Sequence, residues 1–398
     1  MRKDEIYRSY GTDFKEMTRR LLMQAGLAER LPDPAARIAI KPNLVSPTPA
    51  SFGGTTHPEI VAGIIEFLQE RGYTNIVIAE GSWVGDKTAE AFEYCGYNDL
   101  AARYGIELID TQKEAGIKVR CGDTASGAGE AAADQLTGSA VSRLPESTES
   151  RLPGSAVSGL PESLQICACV RDWDYLINVP VLKGHCQTHI TCALKNLKGL
   201  IPNSEKRRFH TMGLHRPIAL LNTVIKPDFI VIDHICGDLA YEDGGNPVIR
   251  NCVMAAVDPV LVDAYVCSLL DYETDEVEYV GLAERLGCGS ADLSSLRLVT
   301  VEGDPGEDVP SRARLDVCDA VDDVDSCSAC YAALVPVLER LREEGLLDKL
   351  PGRIGIGQGH RGKSGAIGIG NCTSGFDFCI KGCPPDEEDI YKALKEMI

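Results

Sequence analysis

Three segments between Ala36 and Trp83 constrain this chain more than any other feature. "ARIAIKPNLV" is an apolar run that ends in Pro42 and passes into a loop rich in Gly, Pro and Thr. "THPEIVAGIIEFLQERGY" spaces Ile60, Val61, Ile64, Ile65 and Leu68 at helical intervals, with Thr56 placed to cap its start and Gly72 to stop its end. "TNIVIAEGSW" reads as a second buried strand, broken at Gly81. Strand, helix and strand in so short a stretch point to a βαβ unit and a parallel sheet.

The alternation continues. "KTAEAFEYCGYNDLAARYG" reads as helix and "IELIDTQ" as strand; from Cys169 onward "DYLINVPVLKGH", "DFIVIDHICGD", "NCVMAAVDPVLV" and "LRLVTVEGD" each carry a strand, with helix over "HITCALKNLKGLIP" and again from Pro259. The expected fold class is α/β, two lobes with mainly parallel sheets plus a Cys-rich C-terminal segment. The expected divisions are a first lobe over 1–122, an insertion over 123–165, a second lobe over 166–321 and a tail over 322–398. Within the insertion "GSAVSRLPES" at 138–147 returns as "GSAVSGLPES" at 154–163. Two copies are too few for a solenoid, so an exposed loop is expected there.

Forty Lys and Arg against 59 Asp and Glu leave a net charge of -19, which argues against nucleic acid or an anionic membrane as partner. The N-terminal "MRKDEIYRSYGTDFKEM" has no apolar targeting segment, so a cytoplasmic location is expected. Sixteen cysteines in such a chain are better explained as reduced thiols, some of them metal ligands, than as disulfides, a habit that suits an anaerobic host.

Five of those thiols fall near the C-terminus. Cys327 and Cys330 form a CxxC, and 41 residues intervene before Cys372, which Cys379 and Cys383 follow, the last with Pro384 and Pro385 after it. Zinc favours paired CxxC knuckles, and there is no second one here. An iron–sulfur cluster tolerates irregular spacing because each iron takes one thiolate. A [4Fe-4S] cluster on Cys327, Cys330, Cys372 and Cys383 is therefore expected, with Cys379 as alternative ligand. Gly370, Gly375 and Gly382 are expected to bend the backbone around it and donate amides to its sulfurs. Most other cysteines are expected to be structural.

Ligands of open α/β sheets bind beyond the carboxyl ends of strands. The loops there offer Lys41, Asn43 and His57, then Glu80, then Lys183, His185 and His189, then Asp233, while Lys195 and Lys198 add charge on the following segment. Lysines in this setting hold a carboxylate or phosphate. Lys41, Lys183 and His185 are the expected catalytic residues, His185 as proton donor or acceptor; the others are expected to bind substrate. His185 and His189 would face one way only on a helix. Neither HExxH nor GxSxG occurs, which removes zincin and α/β-hydrolase chemistry. "GIGQGHRGKSGAIGIG" from residue 355 superficially resembles a dinucleotide loop without the strand and helix that such a loop needs, and is expected to wrap the cluster or the pocket.

"IKPNLV", "THPEIVAGIIEFLQERGYTNIVIAEGS", "DYLINVPVLKGH", "ALKNLKGLIP", "KPDFIVIDHICG" and "VDPVLVDAYV" together resemble the family called domain of unknown function 362, over residues 36 to about 290. "CSAC", "IGNCT" and "KGCPP" are similar to the iron–sulfur tail of some of its members. "GCPPDEEDIYKAL" is also similar to the cluster-binding end of respiratory-complex and hydrogenase small subunits, which supports Cys383 as a ligand. The first lobe has a weaker similarity to the lactate racemase group, which implies a nickel–pincer nucleotide with His and Lys ligands, although that group's own histidine motifs have no residue-by-residue match here. The leading expectation is an iron–sulfur oxidoreductase acting on an anionic small molecule bound between two lobes. Its expected partners are a ferredoxin-like electron donor and a second copy in a homodimer. A non-catalytic electron-transfer or cluster-carrying module and a nickel-dependent racemase-like enzyme are the alternatives.

Overall fold

A computed structural model describes residues 1–121, 161–305 and 316–398. The repeated insertion lies outside the described residues as far as residue 160. The chain forms two compact units. The larger comprises Met1–His185, Ile190–Lys206 and His215–Arg312; the smaller comprises Cys186–His189, Arg207–Leu214 and Ala313–Ile398.

In the larger unit the strands are β1 Glu5–Tyr10, β2 Ile38–Pro42, β3 Ile76–Glu80, β4 Glu107–Asp110, β5 Gly116–Arg120, β6 Ser163–Cys167, β7 Tyr175–Val179, β8 Lys183–His185, β10 Phe229–His234, β11 Cys252–Ala256 and β12 Arg297–Glu302; β9, His189–Thr191, begins in the smaller unit. Eight of them make one sheet in the order β12-β1-β11-β10-β7-β2-β3-β4. β11 runs antiparallel to both of its neighbours and every other pairing is parallel. Strands from residues 1–122 and from 166–321 thus share a single sheet. The chain steps outward from β2 to β3 and β4, then returns to the other side of β2 as β7 and steps away again to β10. The loops leaving β2 and β7 therefore diverge, and the crevice between them is where a doubly wound sheet accepts a ligand.

The helices Phe14–Gln24 and Pro58–Gln69 bury Met17, Leu21, Leu22, Ile60, Val61, Ile64 and Leu68 against Ile38, Ile40, Ile177 and Val231 of the central strands. That burial, at ~25 cal/mol per Å² of apolar surface, is what holds the helical layer on the sheet. The helical spacing read at 58–69 is correct, but its cap is not Thr56. His57 occupies the N-cap and makes no cap hydrogen bond with its side chain. The Thr56 hydroxyl instead accepts from Asn43 N at 2.8 Å and donates to Val179 O at 2.9 Å, tying the β2 loop to the end of β7. "HITCALKNLKGLIP" is less helical than its composition suggests: a turn of α-helix at Ala193–Asn196 is followed by a 3-10 turn at Leu197–Leu200.

The smaller unit holds a second sheet, β13 Val321–Asp323, β14 Ile354–Ile356, β15 Ile367–Ile369 and β16 Phe378–Ile380, all parallel and in that order. Val321, Ile354, Ile367 and Phe378 share one rung. The helix Ser328–Glu343 buries Tyr331, Leu334, Val335, Leu338 and Leu341.

Candidate functional site

At the crevice, β2 ends in Lys41, which is 1% exposed. Its ammonium donates to the Glu80 carboxylate, to Pro42 O at 2.7 Å and to Asn196 Oδ1 at 3.1 Å. Three acceptors use all three of its protons. Asn196 is held in turn by Asn178 Oδ1 at 2.7 Å and by Lys41 O at 3.3 Å. Gly199 allows this closeness, because a Cβ there would lie 1.8 Å from Glu80 Oε1 and 2.7 Å from Lys41 Nζ. The fully buried Asp263 accepts from Ala193 N at 2.7 Å and Leu194 N at 3.2 Å, fixing the turn that carries Lys195 and Asn196. Burial pushes the Asp263 carboxyl up to about 7.

Lys183, at the end of β7's loop, is also 1% exposed, and donates to the carbonyl oxygens of Gly54 at 2.5 Å and Glu242 at 2.6 Å. Burial and then the Lys195 charge push it down to about 7, against the pull of Asp243 and Glu242. Lys206, on the helix Asn203–Thr211, donates to the carbonyl oxygens of Gly81 and Ser82, both at 2.8 Å. Its burial lowers it to about 8 in spite of Glu80. Lys198 is pushed well down by desolvation and then by Lys195 and Lys206. Lys195 donates to Thr191 Oγ1 at 2.9 Å. Five lysines thus converge on one edge of the sheet, and their mutual repulsion favours any anion placed among them. Among the described residues Lys183 and Lys206 each keep one N–H beyond their two carbonyl acceptors.

The other expected site residues divide. Asn43 folds its Oδ1 back to Val45 N at 3.2 Å. His185 places Nε2 3.4 Å from Glu242 Oε1, inside the larger unit. His189 belongs to the smaller unit and has a φ of 62°. The stretch between the two histidines is turn and strand rather than helix, so the helical spacing that would align them is absent. His57 and Asp233 join each other: His57 Nδ1 lies 2.8 Å from Asp233 Oδ2. Lys206, Glu242 and Asp263 went unnoticed in the sequence because each sits on an element far along the chain from the strand ends it serves.

In the smaller unit the parallel sheet gathers the thiols. Cys327 follows β13 and caps the helix Ser328–Glu343, with Cys330 in that helix's first turn; Cys372 follows β15 and Cys383 follows β16. All three loops leave the same edge. Cys330 is pushed up to about 11, first by burial and then by the neighbouring Cys327, Cys383 and Cys372. Cys327 is raised by burial, then by Cys372 and Cys383. Cys379 lies within β16, its Sγ 3.5 Å from Gly370 O and 3.6 Å from Thr373 Oγ1. Gly370 is required close by: its φ is 87° and a Cβ would meet Cys330 Sγ at 3.3 Å. Two of the expected amide donors are already engaged, since Gly370 N donates to Ile380 O at 2.8 Å and Gly382 N to Asn371 Oδ1 at 3.1 Å.

Gln358 and Arg361, in the glycine-rich stretch, reach the cysteines. Gln358 Nε2 lies 3.4 Å from Cys327 Sγ, and Arg361 is hydrogen-bonded to Cys372. Within that stretch Gly357, Gly359 and Gly362 spell GxGxxG, and Gly357 to Ser364 spells GxxxxGK(S/T). Both patterns work only where a helix follows the loop and turns its N-terminus to the phosphate. Here the next regular element after Ser364 is the strand β15, so neither pattern has its context.

Among the described residues no helix is long and apolar enough to cross a membrane. The family described as Domain of unknown function (DUF362) matches at residues 38–134 and 124–268. The chain is 23% identical over 279 residues to a thylakoid-associated protein of Synechocystis sp., covering 68% of this chain and 74% of that one. Among solved structures it is similar to the lactate racemase apoprotein from Thermoanaerobacterium thermosaccharolyticum, with a TM-score of 0.34, 11% identity and 70% of this chain covered. A protein from Thermotoga maritima gives a TM-score of 0.33 at 12% identity, again over 70% of this chain. The matched regions span 57% and 60% of those two chains, under two thirds of their lengths.

Proposed function

We propose, for a chain that belongs to the Domain of unknown function (DUF362) family, that the larger unit is an enzyme acting on an anionic small molecule and that the smaller unit holds a [4Fe-4S] cluster. The observation that carries the first half is the set of five lysines gathered about the ends of β2, β3 and β7, two of which, among the described residues, keep a donor for a ligand. The Lys183 and Lys206 ammonium groups would each give one N–H to the anion. Lys41, saturated by Glu80, Pro42 and Asn196, would position the crevice wall rather than touch the ligand. His185 would hold a proton at Nε2 between substrate and the Glu242 carboxylate.

The second half rests on donor chemistry. Tetrahedral zinc with Zn–S bonds of about 2.3 Å would set its thiolates about 3.8 Å apart. Among the described residues no three of the C-terminal thiols lie within 4.8 Å of one another, although Cys327, Cys330, Cys372 and Cys383 interact electrostatically. A cluster that gives each thiolate its own iron suits that wider spread. When bound, such a cluster supplies single electrons, and a ferredoxin-like protein is the fitting donor.

The test combines metal and anion binding. Anaerobically purified protein should contain iron and acid-labile sulfide in equal amounts, and sulfate should bind the wild type but not Lys183→Met. Zinc alone, or no metal in folded protein, would remove the cluster. Unchanged sulfate affinity in Lys183→Met would remove the anion site.

A further inference from the structure

A second centre in the larger unit is independent of the lysines. His57 stands at the N-cap of Pro58–Gln69, Asp233 in β10 and Cys236 in the loop just after it. Asp233 Oδ2 accepts from the backbone N of His57 at 2.7 Å and faces its Nδ1 at 2.8 Å, while Oδ1 accepts from Ile235 N at 3.1 Å. The ring is thereby gripped through its own main chain and its side chain, and Phe14 packs edge-on against it with centroids 5.7 Å apart. With Nδ1–H given to Asp233, Nε2 points away and lies 3.6 Å from Cys236 Sγ. The same Sγ lies 3.4 Å from Ala50 O. Nucleophile, base and orienting carboxylate follow one another in the order that defines a triad by roles rather than by position in the chain.

We propose that Cys236, His57 and Asp233 form a nucleophilic triad that accepts an acyl group from an ester or thioester. Once His57 has lost its Nε2 proton to solvent, the Cys236 proton passes to Nε2 and the sulfur bonds to the acyl carbon. The carbon's bond to the alkoxide or thiolate leaving group then breaks, and that group takes up the proton, leaving acyl-Cys236. Cys236 is 3% exposed and the His57 side chain 12%, so the acyl group that enters is small. Burial opposes the charge on the ring, but Asp233 outweighs it and holds His57 up to about 10, so the base form of the ring grows as pH rises toward that value.

p-Nitrophenyl acetate is the probe. Native protein is incubated with it and the acetylated cysteines are located by peptide mass mapping; nitrophenolate leaves as the anion and the proton on His57 exchanges with solvent. Cys95, which is 4% exposed and whose thiol donates to the backbone oxygens of Ser46 and Thr48, is the internal reference. The expected result is acetylation of Cys236 on the order of 10²-fold faster than of Cys95, falling by a similar factor in His57→Gln. Equal rates at Cys236 and Cys95 in the wild type would overturn the proposal, whether or not His57→Gln folds. So would an unchanged rate in a His57→Gln protein that melts cooperatively.

Discussion

Replacing Lys41 with Met tests whether this lysine is structural. The substitution keeps the length of the stem and removes the charge, leaving the Glu80 carboxylate at 3% exposure without its ammonium. Removing one partner of a buried ion pair costs about 3–5 kcal/mol. The lower end applies here, because Glu80 keeps the backbone N–H of Gly81 at 2.7 Å and that of Leu44 at 3.4 Å. Pro42 O and Asn196 Oδ1 lose a donor as well, which pushes the cost back up. A loss of about 3–4 kcal/mol in the urea unfolding of the larger unit is expected. The double variant Lys41→Met with Glu80→Gln should recover about 2 kcal/mol of the summed single losses, since no uncompensated charge remains. A single loss below about 1 kcal/mol, or strict additivity of the two variants, would refute the reasoning.

Gly199→Ala should lower the melting temperature sharply, by the equivalent of about 1–3 kcal/mol or more, because its Cβ would overlap Glu80. His57 is raised from 6.5 to about 10, so it stabilises the fold fully below pH 6.5 and progressively less as pH rises to about 10. The stability gap between wild type and His57→Gln should therefore shrink over that window in urea titrations; a constant gap would contradict the shift. Lys183 loses its proton as pH rises through about 7, so sulfate affinity measured by calorimetry should fall by about tenfold per pH unit above that. Cys372→Ser should lose iron on purification while Cys379→Ser keeps it, and equal retention in both would unseat the proposed ligands.

The parts of the fold that could be read from sequence were those set by local pattern. Apolar runs at 38–42, 76–80 and 229–234 became central strands, and the helix at 58–69 followed its spacing. The Thr56 cap failed because a tertiary partner, Val179 O, competed for the hydroxyl. Lysines ending strands were visible, but which of them are saturated was not, since that depends on Asn196 and Glu80, 155 and 39 residues from Lys41. Cys236 was indistinguishable from other buried thiols until the fold set His57 beside it.

The in-register sheet of the smaller unit has a consequence for how such chains diverge. Cys327, Cys372 and Cys383 are placed by the ends of three parallel strands, and their separations along the chain do not enter the geometry. Residues added or removed between the helix Ser328–Glu343 and β14 fall outside the strands and leave the strand ends that carry the thiols in place. A shift of one residue within β15 or β16 turns that strand's side chains to the opposite face and displaces the loop that follows it. Sequences with widely different cysteine spacing can therefore bring the same thiols together, and a search by fixed interval would pass over them.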